Sequence, residues 1–371
     1  MKIDKGLSNT ISWAQFICSI VIILDHSFDY LGYEEVTKNQ FESVAFFISK
    51  MLSGGLAYSS MAIFFLLSSL LLYKNWNEKD DVGSWYAAKI KSRFVSLFIP
   101  YILWNTVWTV FYLGAGILDK SGLTNLSGNI KLIDIFSGIL LGKYNEVFWY
   151  LKVLMFYVLI SPVIGILIEK GKGVTVLYSF ALSCTLFLSL HKVYFYNFYN
   201  FFFWCLGAYL AIYAERNGCI SKFVHKKVKV FGNFIFHFIS LSLLTWLLIF
   251  DYRATLYQHS VFMTNALALL LDVIGTICFW NLLNSFFKKR PAKWYTNCSF
   301  LIYAMHKPIQ QAFNKITARL FSADLFGYTF NLLGGTVFSL CVILVFVCIM
   351  ERFMPRVLLV LNGGRKIGGE K

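Results

Sequence analysis

The stretch ISWAQFICSIVIILDH, from Ile11 to His26, is apolar over the length of a helix and ends in an aspartate and a histidine. We expect such a run to form a membrane helix whose polar end lies at the far water interface. A histidine there is costly to desolvate, and the pKa of a free imidazole is close to neutrality. His26 is therefore predicted either to carry chemistry at this interface or simply to cap the helix end.

The rest of the chain extends this pattern. Its 371 residues are 58% hydrophobic and 19% aromatic, and only 14% are charged, whereas ordinary soluble proteins have about 25% charged residues. Ten runs are apolar enough to span a bilayer, near residues 11–30, 52–73, 94–114, 146–168, 174–190, 194–214, 231–250, 260–284, 297–320 and 328–350. We predict an all-α, polytopic protein of the cell (plasma or inner) membrane with about ten transmembrane helices. Residues 1–371 are expected to form one integral-membrane domain with no separate soluble domain.

The net charge of +15 would suggest a nucleic-acid partner in a soluble protein. Here the basic residues lie mostly in one alternating set of connections: the N-terminus, 74–93, 169–173, 215–230, 285–296 and the tail. These segments hold roughly three times as many basic residues as the opposite loops, which is the distribution expected of cytoplasmic loops. Both termini are therefore predicted to be cytoplasmic, and no nucleic-acid partner is needed to explain the charge.

The cysteine spacing and the absence of common catalytic motifs exclude several classes of function. The eight cysteines form no CxxC pair, and most lie inside apolar runs, so we interpret them as packing residues and expect no metal site. The chain contains no P-loop, dinucleotide fingerprint, HExxH or GxSxG motif. The missing nucleotide motif argues against a primary pump.

Acidic residues lie next to the first candidate residue, His26. Asp29 and Tyr30 follow it by three and four residues, so they share its face of a helix. Asp25 is adjacent and points about 100° away on an ideal helix. A carboxylate beside the imidazole could hold its tautomer and stabilise its protonated form.

Two further segments carry polar residues into predicted spans. Lys91 and Arg93 stand immediately before the third span and predict either simple anchoring or a clamp for a phosphate-bearing anion. The ninth span, SFLIYAMHKPIQQAFNKI (299–316), places Tyr303, His306 and Lys307 close together. Polar groups at this density cannot all face lipid, so the ninth span is predicted to line a cavity or to pair with other helices.

Three other residues stand at informative places in the predicted spans. Asp272 lies midway along the eighth span and is predicted to be either a functional acid or a structural partner of Lys307 or of another polar group. Trp149 and Tyr150 stand where an aromatic belt is expected at the membrane interface.

Several segments, in this order, resemble the acyltransferase 3 family of membrane acyltransferases. They are the histidine that ends the first helix, AIFFLLSSLLLYK (62–74), KSRFVSLFIPYILW (91–104), EVFWYLKVLMFYVLISPVI (146–164) and SFLIYAMHKPI (299–309). Two positions depart from the family pattern. The arginine often found eleven residues before the histidine is Gln15 here, and the Ser-Gly pair is Ser68-Ser69. Gln15 can donate hydrogen bonds but carries no charge.

The resemblance implies transfer of an acyl group, most often acetyl, from cytoplasmic acyl-CoA to a hydroxyl of an extracytoplasmic or lipid-linked carbohydrate. Acyl-CoA would be a co-substrate, and no permanently bound cofactor is expected. The expected partners are membrane lipid, acyl-CoA and the polysaccharide or lipid-linked sugar acceptor. In this interpretation His26 is the general base, and Asp25 or Asp29 orients it.

The same resemblance implies donor-binding and cavity-lining roles for the other candidate residues. Lys91 and Arg93 would bind the acyl-CoA donor, while the cavity would be lined by Gln15, Tyr303, His306 and Lys307. Tyr303 or His306 could donate a hydrogen bond to the thioester oxyanion. The residues leave open a transporter or flippase of a lipid-linked glycan, or a polysaccharide polymerase. They do not specify the acceptor, the acyl group or the oligomeric state.

Overall fold

The computed structural model describes residues 4–27, 47–48, 51–118, 131–189, 200–214, 230–254, 261–321 and 325–367, and this part of the chain is helical with no strand. Its α-helices are α1 Lys5–His26, α2 Leu56–Tyr73, α3 Val82–Arg93, α4 Ile99–Leu118, α5 Leu132–Leu141, α6 Trp149–Leu159, α7 Ser161–Ser189, α8 Phe201–Tyr209, α9 Val230–Ala254, α10 Val261–Phe287, α11 Ser299–Leu320, α12 Leu325–Phe353 and α13 Pro355–Leu361. The range of α7 comprises two helices joined at a kink, where Lys172 has a non-helical φ of 51°. Three π-helical turns, Met51–Gly55, Phe94–Phe98 and Leu210–Ala214, adjoin α2, α4 and α8.

Five described stretches are long and apolar enough to cross a membrane, and a bent pair, Glu146–Leu159 with Ser161–Cys184, makes a sixth if it is one span. The prediction of an all-α, polytopic membrane protein is therefore confirmed. The count of ten spans and the orientation of the termini stay predictions. Helix α5 has ten residues and is too short to span a bilayer.

The helices differ from the predicted spans in two details. The connection 74–93 contains α3, which continues through the π-helical turn into α4. Asp81 caps the start of α3 by accepting a hydrogen bond from the Ser84 amide at 2.8 Å. The predicted span 146–168 bends by 61° between Leu159 and Ser161. Pro162 explains this bend, since a proline lacks the amide donor needed to continue a helix and favours the first turn of the next one.

Helix α1 is central to the described fold because it contacts α2, α10, α11 and α12. Its first turn is capped by Asp4, whose carboxylate accepts a hydrogen bond from the Leu7 amide at 2.7 Å. Large apolar side chains on α4, α9 and α12 are exposed, as expected of surfaces that face lipid. Helix α1 is thus positioned to carry functional residues along the protein interior.

Candidate active site

Two cavities lie along α1. The first, here called the basic cavity, has a volume of about 240 Å³ and contains Arg93, Arg365 and Lys366. The second, here called the histidine cavity, has a volume of about 310 Å³ and contains Asp25 and His26. None of the described residues that line the basic cavity is acidic. The two cavities therefore differ sharply in charge.

The two cavities meet at shared walls. Met61, Tyr150 and Tyr303 line both of them. The Tyr150 and Tyr303 rings pack edge to face with centroids 5.8 Å apart, and the Tyr150 hydroxyl shares a hydrogen bond of 3.1 Å with the Ser68 hydroxyl. The junction between the cavities is consequently formed by two aromatic rings and a flexible methionine.

One face of helix α1 runs past both cavities. Gln15 lines the basic cavity, and His26 lines the histidine cavity. Eleven residues separate them, which is about three helical turns, so both side chains lie on nearly the same face about 16 Å apart along the axis. One stripe of α1 therefore faces both cavities.

His26 packs against a second imidazole. Its ring is stacked on that of His306, with centroids 5.2 Å apart and an interplanar angle of 29°. His306 is fully buried, and its Nδ1 lies 2.8 Å from the Tyr303 carbonyl oxygen and 3.1 Å from that of Ile302. Because a carbonyl only accepts, Nδ1 of His306 carries the proton, and Nε2 is left without a hydrogen-bond partner among the described residues.

The predicted site residues divide into those that reach a cavity and those that do not. Asp25 lines the histidine cavity with His26, whereas Asp29 lies outside the described residues. Arg93 lines the basic cavity, but Lys91 is exposed and lines neither cavity. Lys307 is half-buried and also lines neither.

The two hydrogen-bond donors expected for an oxyanion already have partners. The Tyr303 hydroxyl donates to the Val147 carbonyl, and the Nδ1 proton of His306 is directed at backbone carbonyls. His306 stacks on His26 and lines neither the basic cavity nor the histidine cavity. The Tyr150 hydroxyl, at the junction, is a further candidate donor.

Asp272 belongs to a separate polar group. It is buried and accepts hydrogen bonds from Ser59 at 3.1 Å and Thr276 at 3.3 Å. It lines neither cavity. Of the two interpretations made from sequence, these hydrogen bonds support a structural role for Asp272, with hydroxyl partners.

A proline positions α11 against α4. Pro308 lies inside α11 and cannot donate to the carbonyl of Ala304 one turn earlier. The Trp108 indole takes that place and donates to the Ala304 oxygen at 3.0 Å. The carbonyl is therefore satisfied within the membrane by a neighbouring helix, as the lipid environment requires.

Gln310 holds the end of α1, a role that the sequence did not suggest. Its side-chain amide is buried and donates to the Ile23 carbonyl at 2.6 Å and to the Ser27 hydroxyl. The Ser27 hydroxyl also lies 3.3 Å from that of Thr336 on α12. This group joins α1, α11 and α12 immediately after His26, so it sets the position of the imidazole.

Replacing Gln310 by leucine is expected to destabilise the protein and lower its activity. The substitution removes the Gln310 hydrogen bonds to the Ile23 carbonyl and to the Ser27 hydroxyl. The Ile23 carbonyl still accepts from the Ser27 amide and hydroxyl, both at 3.0 Å, so each lost hydrogen bond costs about 0.5–1.5 kcal/mol in soluble proteins and about 0.6 kcal/mol between membrane helices. Thermal unfolding in detergent measures the effect. Gln311→Leu is the matched control. Gln311 is exposed and accepts an exposed hydrogen bond from the Tyr112 hydroxyl, and surface changes are usually within about 0.5 kcal/mol. Equal unfolding temperatures for both variants would contradict this role of Gln310.

Comparison with known proteins identifies the family of this chain. No curated protein and no solved structure matches the chain significantly. The family model described as an acyltransferase domain matches residues 9–351, which is nearly the whole chain. The resemblance found in the motifs is thereby confirmed, and a multi-pass membrane acyltransferase is the activity class it supports. The chain belongs to the acyltransferase 3 family.

Proposed function

We propose that this protein transfers an acyl group, most simply acetyl, from cytoplasmic acyl-CoA to a hydroxyl of an extracytoplasmic or lipid-linked carbohydrate. The observation that carries the proposal is the sharing of Met61, Tyr150 and Tyr303 by the basic and histidine cavities. A phosphate-bearing donor is attracted to the cationic end, and its thioester arm extends toward the junction. The acceptor hydroxyl enters at the end that contains His26.

The chemical step follows from that arrangement. The His26 imidazole removes the proton from the acceptor hydroxyl while its oxygen attacks the thioester carbonyl carbon. The tetrahedral intermediate collapses by breaking the carbon–sulfur bond, and the imidazolium returns the proton to the departing thiolate. The products are the acylated sugar and free coenzyme A. Asp25, on the wall of the same cavity, is the acid placed to stabilise the imidazolium.

The developing oxyanion needs a hydrogen-bond donor at the junction. The Tyr150 hydroxyl and the Tyr303 hydroxyl are the protein groups placed there, and each has to exchange its present partner for the oxyanion. Gln15, which replaces the family's usual arginine, lines the basic cavity and offers a neutral amide to the donor. The cationic contacts in this cavity therefore come from other residues, beginning with Arg93.

The rival transporter function needs a passage wide enough for a glycan. The junction between cavities of about 240 and 310 Å³ is lined by two tyrosine rings instead. An extended thioester arm fits such a constriction better than a hydrated oligosaccharide does. The geometry therefore favours transfer of a small group over transport of the whole acceptor.

The decisive measurement uses the purified protein in lipid vesicles with radiolabelled acetyl-CoA outside and candidate glycans. We expect the label to appear on the glycan and free coenzyme A to accumulate in equal amount. Vesicles without protein are the control. If no candidate glycan takes up label while the glycan itself crosses the vesicle membrane, the protein is a transporter and the proposal is wrong.

A further inference from the structure

The C-terminal segment beyond the family match contributes to the basic cavity. The match ends at residue 351, and the chain then forms α13 and the loop Asn362–Ile367, here called the C-terminal loop. Within this loop, Arg365 and Lys366 line the basic cavity together with Arg93. The sequence alone predicts only cytoplasmic charge for these tail residues.

Two glycines turn the chain back toward the cavity. Gly363 and Gly364 have φ values of +64° and +77°, which favour glycine. Their amides donate to the carbonyls of Val360 at 3.0 Å and Leu359 at 2.8 Å. This pattern closes a helix with a left-handed turn that satisfies its last carbonyls. Arg365 follows the turn directly and lines the basic cavity.

The C-terminal loop is attached to the wall that carries Arg93. A Cβ atom on Gly363 would lie 2.6 Å from the Ser96 carbonyl oxygen, in the π-helical turn that directly follows Arg93. The Trp104 indole donates to the Leu361 carbonyl at 3.1 Å, and the Asn362 amide donates to the Asn297 carbonyl at 3.2 Å. These contacts fix the loop against α4 and against a residue of the cavity wall.

The Arg365 guanidinium is oriented but retains unused donors. It lies over the Phe300 ring at 5.3 Å, and its Nη1 donates to the Asn362 carbonyl at 3.2 Å. A guanidinium has five N–H groups. In the described part of the chain no carboxylate forms an ion pair with Arg365 or Arg93, and no acid lines their cavity. Two arginines without acidic partners in one cavity make an anion site.

We propose that Arg365 is a donor-binding residue that, opposite Arg93, holds a phosphate group of the acyl-CoA donor. The inference rests on the proposed function and extends it to a residue outside the matched family region. The ring of Phe300 and the Asn362 carbonyl hold the guanidinium in place, so less side-chain freedom is lost when phosphate binds. Lys366, the adjacent cation, lines the same cavity and adds positive charge.

The test compares donors with and without phosphate. We expect Arg365→Gln to raise the KM for acetyl-CoA by roughly 10- to 100-fold, the range for a charge-assisted hydrogen bond, with little change in kcat. With acetyl-pantetheine, which has no phosphate, wild type and variant should have the same KM. Arg365→Lys should recover part of the loss. Arg352→Gln is the matched control, because Arg352 is an exposed tail arginine outside the basic cavity.

A second pair of variants tests the loop itself. Gly363→Ala drives a methyl group into the Ser96 carbonyl and should raise the KM for acetyl-CoA as Arg365→Gln does. Gly364→Ala is a matched control for backbone strain, because a Cβ there meets no atom within 4 Å, so its effect should be smaller.

The possible results distinguish a failure of this inference from a failure of the proposed function. Wild-type protein that neither binds coenzyme A nor transfers acetyl overturns the proposed function. Active wild type with an unchanged KM in Arg365→Gln overturns only the role of Arg365. A fall in kcat that is equal for acetyl-CoA and acetyl-pantetheine shows a structural role and overturns it as well.

Discussion

Replacing His26 by asparagine is expected to lower kcat for acyl transfer by about 10²- to 10⁴-fold, the usual contribution of a general base. Asparagine keeps a polar side chain at the wall of the histidine cavity but cannot accept the proton of the acceptor hydroxyl. Because Arg93 and Arg365 lie in the other cavity, the KM for acetyl-CoA should change little. Initial rates with saturating donor and acceptor measure the loss.

The chain offers a matched histidine control. His237 on α9 is also buried, with its Nδ1 at 3.1 Å from the Gly275 carbonyl and its ring stacked on Phe279. It lines neither cavity. In His237→Asn the amide nitrogen can still donate to that carbonyl, so this variant should retain activity. A His26→Asn enzyme that works at more than a tenth of the wild-type rate would remove His26 from the proton-transfer step.

Replacing Gly207 by alanine is expected to destabilise the protein strongly and to lower its folded yield. Helix α8 crosses α2 so closely that a Cβ on Gly207 would lie 2.3 Å from the Leu66 carbonyl oxygen and 3.0 Å from the Ser69 Cβ. No rotamer change relieves a clash with backbone, so the helices must separate. Overpacked cores lose about 1–3 kcal/mol, and a rigid helix contact belongs at the upper end of that range.

The consequence extends to the site, because α2 also carries Met61 and Ser68, which line the basic cavity. Yield of monodisperse protein from detergent and its unfolding temperature report the effect. Gly114→Ala in α4 is the control, since a Cβ there meets nothing within 4 Å. Similar yields for both variants would show that α8 and α2 separate easily and would contradict the close contact.

Part of the site could be predicted from local sequence. A histidine at the end of a long apolar run indicates a functional position, because burying an imidazole in a membrane is costly. His26 does lie on a cavity wall, as do Gln15, Arg93 and Tyr303. Their catalytic and binding roles stay predictions, but their placement is consistent with the polar stripes expected on the helices.

Other features gave no local signal. Lys91 and Arg93 are two residues apart on α3, so a helix points them in different directions, and only Arg93 reaches the cavity. Gln310 was one of several polar residues on α11. Its contact with the Ile23 carbonyl depends on how α11 packs against α1. The charge and spacing of these residues alone do not predict which of the two cations reaches the cavity or which carbonyl Gln310 contacts.

The sequence by itself determined that this chain is an all-α membrane protein of the acyltransferase 3 family, because apolar length and motif order are local properties of the chain. Only the tertiary structure decided that Arg365 joins Arg93 in one cavity and that this cavity meets the one containing His26. The physical reason is that a cavity forms from the packing of helices distant in sequence. The left-handed turn at Gly363 packs against the Ser96 carbonyl only because glycine has no Cβ to clash with that oxygen.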